Sequence, residues 1–153
     1  PLMKPSIRQR RWDSSMEDRV FSLVVVTPVR QVFEGQVRSL QAPGTDGDFE
    51  VLVGHIPMLT SLRPGVVTLR NTDGRSIYAI SGGFVEVMRH EATVLAETIE
   101  RVDSIDVERA RDAEKRAQDR IESAASTSVN MSRAQSALAR AQNRLRASQL
   151  ANK

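Results

Sequence analysis

The chain has 153 residues, 27% of them charged, a net charge of +3 and no cysteine, which suits one ordinary domain plus an appendage. Disulfide frameworks and thiolate metal sites are excluded, and His55 and His90 alone make a metal centre unexpected. The longest apolar runs, "FSLVVV" and "FEVLV", fall far short of the ~20 residues of a membrane-spanning helix, and no stretch has the order of a secretion signal, so a soluble chain without direct membrane insertion is expected.

The pI of about 9.9 points at first toward nucleic acid, but the charge is unevenly placed. Lys4, Arg8, Arg10 and Arg11 against Asp13 put the whole excess of +3 into residues 1–15, "PLMKPSIRQRRWDSS". That segment lacks periodicity and precedes a second candidate start at Met16. It reads as a disordered leader, an upstream start or a cloning remnant in preference to a functional basic arm.

Residues 16–101 form the first structured unit. "FSLVVVT", "QVFEGQVRSLQA", "DFEVLV", "VVTLR", "SIYAI" and "FVEVM" are short, β-branched or aromatic runs separated by Gly, Pro, Asn and Asp. Asp73-Gly74 reads as a hairpin turn and His90 marks a second, weaker one. Eight or nine such strands imply an antiparallel sandwich or barrel.

From residue 102 to 153 the pattern becomes helical. No proline follows Pro64 and no glycine follows Gly83. Asp103 or Ser104 is the expected cap of a first helix running to about Ala124, with Asp106 and Glu108 at its positive end. "SAASTSVN" (123–130) breaks it, and a second helix is expected from about Met131 to Leu150, giving an antiparallel hairpin.

The two helices repeat one pattern: Arg109-Ala110, Arg116-Ala117, Arg120-Ile121, then Arg133-Ala134, Arg140-Ala141, Arg144-Leu145, at the same spacing. Near 100° per residue, each arginine triplet occupies a narrow arc with the alanines beside it. Facing alanine stripes would set both arginine rows along one groove. The like-charged pairs Arg116/Arg120 and Arg140/Arg144 each cost roughly 0.2–0.5 kcal/mol, a cost that a bound anion would reverse. The seam is also thin, since a buried methyl contributes about 0.8 kcal/mol against roughly 1.5–3 for Leu or Ile. A solvated arginine face is the alternative reading.

Other motifs carry little chemistry. His55 in "GHIP" reads as a packed or turn-stabilising residue, and "SGGF" (81–84) as a bulge or close backbone approach, without the spacing of a phosphate loop. Ser81 has no evident His or Asp partner, and no nucleic-acid-binding face is expected. No catalytic residue is assigned.

The segments "TPVRQVFEGQV", "GDFEVLVGHIPMLTSLRPG", "ISGGFVEV", "TVLAETIER" and "IDVERA", in this order, resemble the epsilon subunit of the rotary (F-type) ATP synthase, bacterial type. The resemblance runs from about Val20 to Ala151. It departs at Glu50 and Val53, where the family usually has glycine and proline.

The resemblance implies an antiparallel β-sandwich of about ten strands and a C-terminal two-helix hairpin. It implies a non-catalytic central-stalk subunit on the cytoplasmic face of the bacterial plasma membrane, coupling the proton-driven rotor ring to the catalytic head. Asp48, His55, Pro57 and Met58 would face the gamma subunit and the c-ring. The hairpin would reach the alpha and beta catalytic subunits, through Arg120 and Arg133, and inhibit ATP hydrolysis. No cofactor is required, but a regulatory ATP would be held by Glu100, Ile105, Asp106, Arg109, Ala110, Arg116, Arg140 and Arg144, the last two after a one-residue gap near Thr127. A purely structural hairpin without a nucleotide site is the alternative.

Overall fold

A computed structural model describes residues 19–123 and 128–152; the leader and the expected gap at Thr127 lie outside them. Ten strands come first: β1 (Phe21–Val26), β2 (Gln31–Val37), β3 (Ser39–Gly44), β4 (Gly47–Leu52), β5 (Met58–Leu62), β6 (Gly65–Asn71), β7 (Gly74–Ile80), β8 (Gly83–Val87), β9 (Glu91–Ala96) and β10 (Ile99–Arg101). Their order is β10-β7-β6-β3-β5-β8-β9-β1-β2, with β4 on β3. Two layers result, joined where Gly44 of β3 pairs with Leu62 of β5.

Alternation of apolar and polar residues sets the faces. In β1, Phe21, Leu23 and Val25 are buried while the residues between them are half-exposed, as a strand with one face on a core requires. Leu23, Val37, Leu40, Val67, Val85 and Val94, all at 0% exposure, are part of the core between the layers.

Two expectations about strands need correction. "QVFEGQVRSLQA" is not one strand: Val37 still pairs with Phe21 of β1, whereas Ser39 pairs with Arg70 of β6, so the chain changes layers at Arg38. The sandwich is antiparallel except that β1 runs parallel to β9, from Ser22↔Glu91 to Val26↔Leu95. This parallel pair sets the β1–β2 turn beside the end of β9, a placement used below.

The hairpin between β6 and β7 turns at Thr72-Asp73, one residue earlier than expected, because Asn71 already pairs with Gly74 and the Asn71 side chain accepts from the Asp73 amide at 3.0 Å. The turn at His90 forms as expected, closed by the Met88 amide donating to the Glu91 carbonyl at 2.8 Å. The close approach anticipated for "SGGF" falls at Gly83, whose φ of +142° and 2.0 Å gap between an added Cβ and the Leu95 carbonyl oxygen admit only glycine.

The helices begin later and earlier, respectively, than expected. Val102–Ser104 forms a 3-10 turn and Ile105 is extended, because Ile105 is buried with Ala79, Val102 and Ala147 at the junction of the two units. Helix α1 therefore spans Val107–Glu122, capped by Asp106 instead of Asp103 or Ser104. Helix α2 spans Ser128–Ser148 and passes into a 3-10 turn, Gln149–Asn152, so residues 128–130 of the expected breaker are helical.

Candidate functional site

The alanines of the repeat form the seam. Ala110 and Ala117 of α1 are 0% and 1% exposed, and Ala134 and Ala141 of α2 are 4% and 3% exposed. Methyl-sized contacts let two helices approach closely, with little apolar area to hold them.

Beside this seam lies a groove of about 610 Å³, within the size range of small-molecule sites. Arg109, Arg116 and Arg120 reach it from α1, Arg140 and Arg144 from α2, and Glu100 from β10. Its other wall comes from the sandwich: Ile80, Ser81, Thr98 and Arg30. Thus five of the six repeat arginines border one groove; Arg133 is exposed and does not line it.

Besides the apolar junction of Ala147 with Ala79, two polar contacts fix the hairpin over the sandwich. Asn143, buried on α2, donates from Nδ2 to the Gly65 carbonyl at 2.9 Å and the Ile80 carbonyl at 3.2 Å. Arg144 pairs with Glu100, through Nε to Oε1 and from Nη2 to Oε2 at 3.3 Å. Among the described residues, Arg144 is the groove arginine with an ion-pair partner. None of the other groove arginines enters an ion pair among the described residues.

The remaining candidates serve structure. Asp106 accepts from the Arg109 amide at 3.0 Å as the helix cap, Ala110 is in the seam, and Ile105 is in the junction core; none of the three lines the groove. The neighbouring Arg101 guanidinium hydrogen-bonds Asp103 and holds its carboxyl below the usual range, on the exposed surface.

Asp48 pairs with Arg63 close to Gly65, at the hairpin end of the sandwich, whereas Met58, opposite Val87, lies toward the other end. His55 Nδ1 meets the carbonyl of Ile56 at 2.8 Å, Pro57 is exposed, and Met58 packs on the core. Sequence reasoning missed an apolar strip on the outer face: Phe84 and Leu95 pair across β8 and β9, with Leu59 on β5 alongside, at 52%, 45% and 70% exposure. Alternation in "FVEV" could have signalled it, since Phe84 points opposite to the buried Val85.

Arg30, Ser81 and Thr98 were also missed as groove residues. The Thr98 amide and hydroxyl both donate to Ser81 Oγ, at 3.1 and 2.8 Å, which fixes the sheet side of the groove.

A ten-stranded sandwich carrying a methyl-seamed helical hairpin is the two-part architecture of one protein family. Residues 20–102 match the family described as ATP synthase, Delta/Epsilon chain, beta-sandwich domain, and residues 103–149 its long alpha-helix domain. The chain belongs to this family, as an epsilon subunit of an F-type ATP synthase, a non-catalytic component of the central stalk.

Among its relatives is the ATP synthase epsilon chain of Pelotomaculum thermopropionicum, 42% identical over 106 residues, covering 69% of this chain and 79% of the relative. That of Desulforamulus reducens is 44% identical over 106 residues, covering 68% and 79%. The fold also resembles a chain of the Euglena gracilis mitochondrial ATP synthase, with a TM-score of 0.71 at 20% identity over 82% of this chain and 78% of that one. A chain of the Tetrahymena thermophila central stalk and c-ring gives 0.55 at 17% identity, over 83% and 95%. Among the described residues no helix is long and apolar enough to cross a membrane.

Proposed function

We propose that this subunit couples the proton-driven c-ring to the catalytic head and regulates it through the hairpin. The compact hairpin binds ATP in the arginine groove; when nucleotide is scarce it opens, extends toward the alpha and beta subunits, and blocks ATP hydrolysis. The observation that carries this reading is the collection of arginines from both helices and the sandwich around one groove whose single carboxylate, Glu100, already serves Arg144.

The chemistry follows from that charge. Guanidinium groups donate charge-assisted, often paired, hydrogen bonds to phosphate oxygens, and Glu100 can accept from a ribose or base. A ligand that binds only the compact form shifts the balance by its preference for that form. The Leu59/Phe84/Leu95 strip is an apolar patch suited to the gamma subunit, and the complex lies on the cytoplasmic face of the bacterial plasma membrane.

A structural brace is the second reading, favoured by Asn143, whose two hydrogen bonds hold the hairpin down without any ligand. Titration of the chain with Mg-free ATP separates the two. Binding that is lost in Arg109→Ala and Arg140→Ala supports the regulatory site; no binding, or binding unchanged in both variants, leaves the brace. The brake itself is tested by ending the chain at Arg101 in the assembled motor, where hydrolysis should rise.

A further inference from the structure

We propose that Arg30, on the sandwich, is a direct phosphate ligand of the groove, so that the anion bridges the two units as well as the two helices. This rests on the nucleotide reading of the groove given above. Three observations carry it.

First, the topology delivers Arg30 there. The parallel β1–β9 pair ends at Val26↔Leu95, so the turn Thr27–Arg30 leaves the sheet beside Ala96–Thr98. This is the end of the sandwich on which the hairpin rests, and Arg30 lines the groove opposite the helices.

Second, the turn is closed by its own hydrogen bonds. The Thr27 amide donates to the Arg30 carbonyl at 2.8 Å. Thr27 Oγ1 accepts from the Arg30 amide at 3.2 Å and donates to the Arg30 carbonyl at 3.2 Å. The backbone at the base of the side chain is thereby held by hydrogen bonds that need nothing from the guanidinium.

Third, the positive charge at the site is only partly offset by the protein's own carboxylate. Among the described residues Arg30 enters no ion pair, yet it shares a groove with five other arginines and one carboxylate that is already engaged. A polyphosphate carries several negative charges and many acceptor oxygens, and it suits guanidinium groups converging from three sides. Arg30 then makes ligand occupancy favour docking of the hairpin on the sandwich, not only closure of the hairpin on itself.

The test is calorimetric titration of the full chain with Mg-free ATP and, separately, with inorganic tripolyphosphate. Wild type, Arg30→Ala, Arg30→Lys, Arg140→Ala and Arg89→Ala are compared. Arg89 sits in the turn at the opposite end of the sandwich and controls for net charge. Truncating Arg30 spares the backbone bonds of its turn, so folding is retained. The expected result is a Kd raised about tenfold for both ligands in Arg30→Ala, the scale of one charge-assisted hydrogen bond at a partly exposed site. Arg30→Lys should recover part of the loss, and Arg89→Ala should bind like wild type. If Arg140→Ala weakens binding while Arg30→Ala matches Arg89→Ala, the inference is overturned and the groove reading stands. If wild type binds neither ligand, both are overturned.

Discussion

Arg144 of α2 is paired with Glu100 of β10, joining the hairpin to the edge of the sandwich at the rim of the arginine groove. Both side chains are about one-third exposed, so the pair is partly screened and supports docking without dominating it. Glu100 also limits the positive charge that the closed hairpin must tolerate. Replacing Glu100 by Gln removes that compensation. The expected outcome is a hairpin that opens more readily in the absence of anion, read as faster hydrogen exchange along α1 and α2 with the strands unchanged.

Asn143 should matter more to the closed form than Arg144. It is buried, and Asn143→Leu leaves the carbonyls of Gly65 and Ile80 without their donor. Unpaired buried groups of this kind cost about 1–3 kcal/mol each where water cannot replace the donor. Loss of hairpin docking, measured by proteolysis between residues 101 and 107, is the expected result, while the sandwich keeps its thermal transition.

The alanine seam sets a strict size limit. Ala117 is 1% exposed where α1 meets α2, so Ala117→Leu must force the helices apart. Overpacking typically costs about 1–3 kcal/mol. Circular dichroism should show loss of helix at lower temperature than in wild type, with the sheet signal retained.

Gly83 tests the sandwich independently. Gly83→Ala drives a methyl into the Leu95 carbonyl at a φ that L-residues rarely adopt. A lowered melting temperature of the whole sandwich is expected, because β8 pairs with both β5 and β9.

The hairpin was the more legible half of the sequence. Its repeat puts Ala110, Ala117, Ala134 and Ala141 on facing stripes, and periodicity anticipated a shared groove that five of the six arginines line, Arg133 excepted. The sandwich side was not legible in this way. Arg30 reaches the groove only because β1 runs parallel to β9, a pairing between segments distant in sequence with no local signature. The helix cap was misplaced for a related reason. Asp103 and Ser104 are good caps locally, but burial of Ile105 in the junction requires extended backbone after them and delays the helix to Asp106. Ile105, Asp106 and Ala110 illustrate the same point at the site: the "IDVERA" motif builds the groove's frame, and its Arg109 alone lines the cavity.

On the proposed regulatory function, the closed hairpin is stable only conditionally, through an anion held by its arginines. Native-state hydrogen exchange of the seam amides, with and without Mg-free ATP, tests it most directly. At ligand one hundred times its Kd, linkage predicts about a hundredfold slowing of exchange in α1 and α2, corresponding to about 2.7 kcal/mol, with core amides of β1 and β8 unaffected. Seam amides that exchange at the same rate in both conditions would show that no anion stabilises the closed hairpin.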